Sequence, residues 1–91
     1  MAIETRTTRA EQAVSISAAS RITQVETHTL RYWEKEFHPY LNPIRTEGGQ
    51  RRYRPQDLET VFTIKRLLRD EMFSIAGAKK FLARRLEDWA A

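Results

Sequence analysis

The residues best suited to chemistry fall in two clusters. Thr27, His28, Arg31, Tyr32 and Lys35 recur at helical spacing, and Arg51, Arg52 and Tyr53 follow a Gly48-Gly49-Gln50 turn. Both clusters offer hydrogen-bond donors and positive charge. Duplex DNA needs such a set: anchors for phosphate and a few groups that reach base edges. A helix fits the major groove, where each base pair shows its own donor and acceptor pattern. Thr27 and His28 stand at the leading end of the helix and are the candidate base readers. Arg31 can donate two bonds to one phosphate or to a guanine, while Tyr32 and Lys35 suit the backbone. In the second cluster, alternation puts Arg51 and Tyr53 on one face of a strand and Arg52 on the other, with no acid directly beside them in the chain. The two arginines are therefore expected to do different jobs.

Plainer roles stand beside these. Arg31 can pair with Glu34, and Lys35 with Glu34 or Glu36, which would leave only a solvated helix face. Tyr53 can be a core tyrosine with its hydroxyl at the surface. Trp33 is expected in the core, whereas Trp89 either caps the core or begins a partner-facing stripe. Catalysis finds little support. No serine–histidine–acid set can be placed, and Gly48-Gly49 is a turn rather than a nucleotide fingerprint. His28 and His38 lie on different elements, which argues against a metal pair. Neither an enzyme nor a metal or cofactor is expected.

These side chains need elements to position them. Ser17 is read as an N-cap, with a short helix over Ala18–Ile22 whose Ala19 and Ile22 face inward. A tight turn over Thr23–Glu26 leads to a second helix, beginning at Glu26 or Thr27 and running to about Phe37. Leu30, Trp33 and Phe37 form its apolar stripe, away from His28, Arg31, Tyr32 and Lys35. Two helices joined in this way make a helix-turn-helix. His38-Pro39 ends the second helix. Ile44–Thr46 and Gln50–Tyr53 pair as a short hairpin around Glu47-Gly48-Gly49, which must lean on the helices. Pro55 opens a third helix with Asp57 and Glu59 near its start. Its broad apolar face, Leu58, Val61, Phe62, Ile64, Leu67 and Leu68, runs to about Glu71. Ser74 caps a fourth helix with a stripe of Ile75, Ala78, Leu82, Leu86 and Trp89.

The chain has 91 residues, a formal net charge of +4 and no cysteine. That length is one domain with a modest core. The charge favours an acidic partner such as nucleic acid, and the missing cysteines exclude a disulfide framework or thiolate metal site. No apolar leader or membrane-spanning run is visible, so a cytoplasmic place is expected. Residues 1–13, with Arg6 and Arg9, are read as a flexible tail and 14–91 as the folded domain.

Several linked segments carry a family resemblance. Ser15-Ile16-Ser17 through Val25, Thr29-Leu30-Arg31-Tyr32-Trp33-Glu34, Arg45-Thr46 with Gly48-Gly49-Gln50-Arg51-Arg52-Tyr53, Asp57-Leu58 and Phe73-Ser74-Ile75 stand in order. Together they resemble the N-terminal DNA-binding domain of bacterial MerR-family transcription regulators. The resemblance implies a mostly α winged helix-turn-helix: four helices with a two-stranded β-hairpin wing. It implies a recognition helix at 27–37 in the major groove and a wing at 45–53 on adjacent backbone. Arg31 and Tyr32 would hold phosphates, and His28 takes a base- or backbone-contacting position. Arg51 and Tyr53 match wing residues beside the minor groove, and Lys79 matches a phosphate-touching position. Promoter DNA, a homodimer, RNA polymerase and a nucleoid location are also implied. Departures are Gln24 where glycine is usual, Glu26 where a serine cap is usual, and Arg54 in place of the usual cap before Pro55, which adds a cation for DNA. The family's long dimerising helix is not seen before the end at Ala91. The alternatives are an excisionase-like architectural DNA-binding protein and a helical protein-interaction module.

Overall fold

A computed structural model describes residues 12–90, with side chains through residue 85. The expected tail with Arg6 and Arg9, and the Leu86 and Trp89 side chains, lie outside the described residues. The described chain runs α1 (Ile16–Thr23), α2 (Thr27–Glu36), β1 (Ile44–Arg45), β2 (Arg51–Arg52), α3 (Pro55–Lys65), a π-helical turn (Arg66–Asp70) and α4 (Ile75–Ala90). This is the mostly α, winged helix-turn-helix architecture, with four helices and one antiparallel hairpin. No helix among the described residues is long and apolar enough to cross a membrane.

The first helix starts earlier than its sequence suggests. Ser15, not Ser17, is the N-cap, and its Oγ accepts from the Ala18 amide at 3.1 Å. Ala19 and Thr23, one turn apart, form the buried face, and Ile22 is 48% exposed rather than inward. Residues four apart on a helix nearly eclipse each other, so Ala19 carries Thr23 inward and Ile22 falls to the side. The polar Thr23 is tolerated there because its hydroxyl donates to the Ala19 carbonyl at 2.8 Å. Its own carbonyl accepts from Lys65 Nζ at 2.9 Å, tying α1 to α3. Gln24 closes the helix in the left-handed region, at φ 59° and ψ 38°. Its amide donates back to Ser20.

Leu30, Trp33 and Phe37 are buried as their spacing predicts. They meet Ala19, Val25, Leu41, Tyr53, Val61, Ile64, Leu67, Ala78 and Leu82 in one core. Phe62, expected on the inner face of α3, is 46% exposed. Val61 and Ile64 take the centre of the face, and Phe62, about 100° round the helix from Val61, is turned out. Arg54 does not leave α3 uncapped. Its amide donates to Asp57 Oδ2 at 2.8 Å, and its guanidinium binds both Asp57 oxygens and the Asn42 carbonyl. An arginine side chain has no acceptor, so the capping runs from Asp57 alone. Arg54 is consequently a brace and not a loose cation.

The third helix was expected to run evenly to Glu71, but residues 66–70 form a π turn. The Glu71 amide reaches back to the Arg66 carbonyl. The wider turn keeps Leu67 in the core while the Arg69 guanidinium lies 5.7 Å from the centroid of the Trp33 ring. Ser74 caps α4 as its type predicts, accepting from the Gly77 amide at 3.0 Å. Ala78 and Leu82 carry α4 onto the core, and Phe73 meets Phe81 edge to face.

Candidate nucleic-acid interface

The helix α2 offers two unlike sides because its sequence alternates apolar and basic residues with helical period. Burying Leu30 and Trp33 forces His28, Arg31, Tyr32 and Lys35 outward, and all four are exposed. Thr27, at the leading end, is half-buried. Glu26 is the N-cap residue but makes no capping bond with its side chain. Its carboxylate lies 3.2 Å from His28 Nε2 instead, in a pair that is 76% exposed on both sides. Such a pair contributes little to stability. Glu26 therefore places an acid beside a candidate base reader.

The alternative pairing of Arg31 or Lys35 with neighbouring acids does not occur among the described residues. Glu34 turns to the wing, and Glu36 pairs with Lys79 of α4 at 3.4 Å. Arg31 and Lys35 thus stay uncompensated on the outer face. The wing itself is held by Glu34. The register places Ile44 opposite Arg52 and Arg45 opposite Arg51. Arg51 and Tyr53 share one face, as alternation predicts, and both donate to Glu34 Oε2, Arg51 Nε at 2.7 Å. Arg45 Nη2 lies 3.6 Å from Glu34 Oε1. Arg51 and Tyr53 accordingly take their acid from α2 and not from the hairpin itself.

This changes the standing of Tyr53. It was expected at the DNA backbone, but it has no exposed surface. Burial, and then the hydrogen bond and charge of Glu34, push its hydroxyl well above the usual tyrosine range. It is a protonated donor locked inside the fold. Its backbone adds a second tie, pairing in both directions with Val14 at 2.8 and 2.7 Å. Arg52 serves the same seam from the other face. Its guanidinium donates to the Ala13 carbonyl at 3.0 Å, and Ala13 is buried, although it was assigned to the tail.

Between α2 and the wing lies an open groove of about 630 Å³. Arg31, Lys35 and His38 line one side, Arg45 and Arg51 the other, with Glu34 between. The fold thus gathers Arg31, Lys35 and Arg51 into one feature and sets Lys79 beside the end of α2 through Glu36. It buries Tyr53 and ties the half-buried Arg52 to the Ala13 carbonyl. Arg45 also lines the groove, although it was not among the expected site residues. Its position across the hairpin from Arg51 was the signal that could have found it. No cluster of three or more potential metal ligands occurs among the described residues.

The comparisons agree with this arrangement. Residues 14–85 match the model of the MerR HTH family regulatory protein. A relative from Streptomyces coelicolor that carries the name heat shock protein HspR is 31% identical over 67 residues. That alignment takes in 74% of this chain and 43% of the relative, so the chain spans less than half of that protein's length.

Proposed function

We propose, from the premise that the chain belongs to the MerR family of HTH regulatory proteins, that it reads promoter or operator DNA. The recognition helix α2 enters the major groove with Thr27 and His28 leading. Arg31, Tyr32 and Lys35 hold the flanking phosphates, and Lys79 anchors the backbone from α4. The wing lies on the adjacent strand. The carrying observation is the outer face of α2, where Arg31 and Lys35 are exposed without a described acid partner and open onto a basic groove. Unpaired exposed guanidinium and ammonium groups are what phosphate neutralisation needs.

A pseudo-palindromic site and a homodimer belong to this proposal, as does promoter bending that lets RNA polymerase engage. Bending a duplex costs several kcal/mol, so it requires contacts at two half-sites. The place of action is the nucleoid in the cytoplasm. The test is fluorescence anisotropy of the chain with its own upstream DNA and with a scrambled duplex, over a range of salt. Tighter binding to the upstream DNA at physiological salt is expected for an operator reader. Equal affinities that collapse together with salt would limit the chain to phosphate contacts. Absence of binding at low salt would refute the proposal.

A further inference from the structure

Glu34 is out of place for a phosphate-binding surface. It lies on the helix between Arg31 and Lys35, and a carboxylate there repels a DNA backbone. Its side chain is only 12% exposed, and the wing surrounds it. Oε2 accepts from both Arg51 Nε and the Tyr53 hydroxyl. The wing cations differ in how firmly they are held. The Arg51 side chain is 23% exposed and bonded at 2.7 Å. The Arg45 side chain is 50% exposed, 3.6 Å from Oε1, with one long bond of 3.3 Å to the Gly49 carbonyl.

We propose that Glu34 is the positioning residue of the interface: it locks Arg51 and Tyr53 to the recognition helix and leaves Arg45 as the wing cation that takes a DNA phosphate. Its premise is the duplex binding proposed above. Taking Arg51 away would strand a nearly buried carboxylate without its main counter-charge, which is strongly unfavourable. Arg45 can leave with little loss, since its contacts are long and solvated. The register adds a second reason. Arg45 and Arg51 face each other across the hairpin, and like charges directly opposite destabilise a strand pair. The anion between them removes that repulsion. A hairpin of two-residue strands has little stability of its own. The Glu34 contacts therefore set where the wing stands relative to α2, and so the distance between the two DNA contacts.

The test is the salt dependence of binding to a fluorescein-labelled, mixed-sequence duplex, measured for the full chain and for Arg45→Ala, Arg51→Ala and Glu34→Gln. Phosphate contacts are sequence-independent, so no operator is needed. Arg45→Ala should reduce the slope of log K against log salt by about 0.9, one phosphate contact, without lowering the thermal midpoint. Arg51→Ala should lower affinity and the thermal midpoint but keep the wild-type slope. Glu34→Gln keeps an oxygen for the Tyr53 hydroxyl and releases Arg51, so the slope should steepen by about 0.9. A purely structural Glu34 would leave that slope unchanged, and this result would overturn the proposal. So would a slope that falls for Arg51→Ala and not for Arg45→Ala. If Arg51→Ala does not fold, the other two variants decide. Failure of the wild-type chain to bind any duplex would remove the DNA-binding premise as well, whereas binding with the reversed pattern would remove only the assignment of Glu34 and Arg45.

Discussion

Replacing Tyr53 with phenylalanine isolates one hydrogen bond at the seam between the wing and α2. The ring stays and the core keeps its volume, so no cavity term enters. The lost group is a fully buried hydroxyl that donates to the Glu34 carboxylate. A hydrogen bond to a charged acceptor contributes about 1.5–3 kcal/mol. Glu34 keeps Arg51 Nε at 2.7 Å, so the acceptor is not orphaned and the lower end applies, about 1.5 kcal/mol. For a domain of this size that corresponds to a thermal midpoint lower by about 6–12 °C. Thermal unfolding followed by circular dichroism would measure the shift, and urea unfolding the free energy. The pH response supplies a second readout. The folded Tyr53 holds its proton above the ordinary value of 10.0, so its stabilisation is complete below that pH. It is lost as pH rises further, because the unfolded tyrosine ionises first. The wild-type chain should lose stability above about pH 10 at up to about 1.4 kcal/mol per unit more than Tyr53→Phe. Contributions common to both proteins cancel in the difference. A variant within about 0.5 kcal/mol of wild type, with parallel pH profiles, would refute the role assigned to the hydroxyl.

Gln24→Gly should stabilise the fold by about 0.5–1 kcal/mol, since Gln24 sits at φ 59° and the left-handed penalty of a side chain exceeds the added unfolded-state freedom of glycine; urea midpoints would show it. Asp57→Ala should cost about 2–3 kcal/mol because it removes the acceptor of the Arg54 amide and leaves the guanidinium only the Asn42 carbonyl, and Asp57→Asn, which keeps one side-chain oxygen, should cost less in the same assay. Arg31→Ala should leave stability within about 0.5 kcal/mol, while the salt slope of duplex binding falls by about 0.9; an unfolded variant or an unchanged slope would count against a phosphate role.

Periodicity made the helices legible, because a buried stripe must recur with the turn. Leu30, Trp33 and Phe37 read correctly for that reason, as did Ala78 and Leu82. Caps were legible where one candidate stood alone, as at Ser74. With Ser15 and Ser17 both available, type could not choose, and the pairing of Val14 with Tyr53 fixes the chain just ahead of Ser15. Phe62 and Ile22 misled because hydrophobicity states a preference for burial but not the rotation of a helix, which its neighbours settle. The π turn was not legible, since it depends on how Leu67 reaches the core and Arg69 meets the Trp33 ring through space. The hairpin was legible from its glycines, and the division of labour between Arg51 and Arg52 from alternation alone.

Glu34 marks the limit of sequence-local reasoning about charge. Neighbours on a helix invite pairing at three or four residues, which is worth only about 0.2–0.5 kcal/mol in solvent. Arg51 stands 17 positions away in the chain, but it meets Glu34 where both side chains are largely withdrawn from water. Screening is weaker there and the tyrosine hydroxyl adds a second donor, so the distant pair prevails over the local one. The consequence reaches the surface. An acid that would have neutralised Arg31 is drawn into the wing, and Glu36 is drawn to Lys79. The outer face of α2 is therefore more positive than its own sequence implies. The same contact that steadies the wing leaves Arg31 and Lys35 exposed on the outer face of α2.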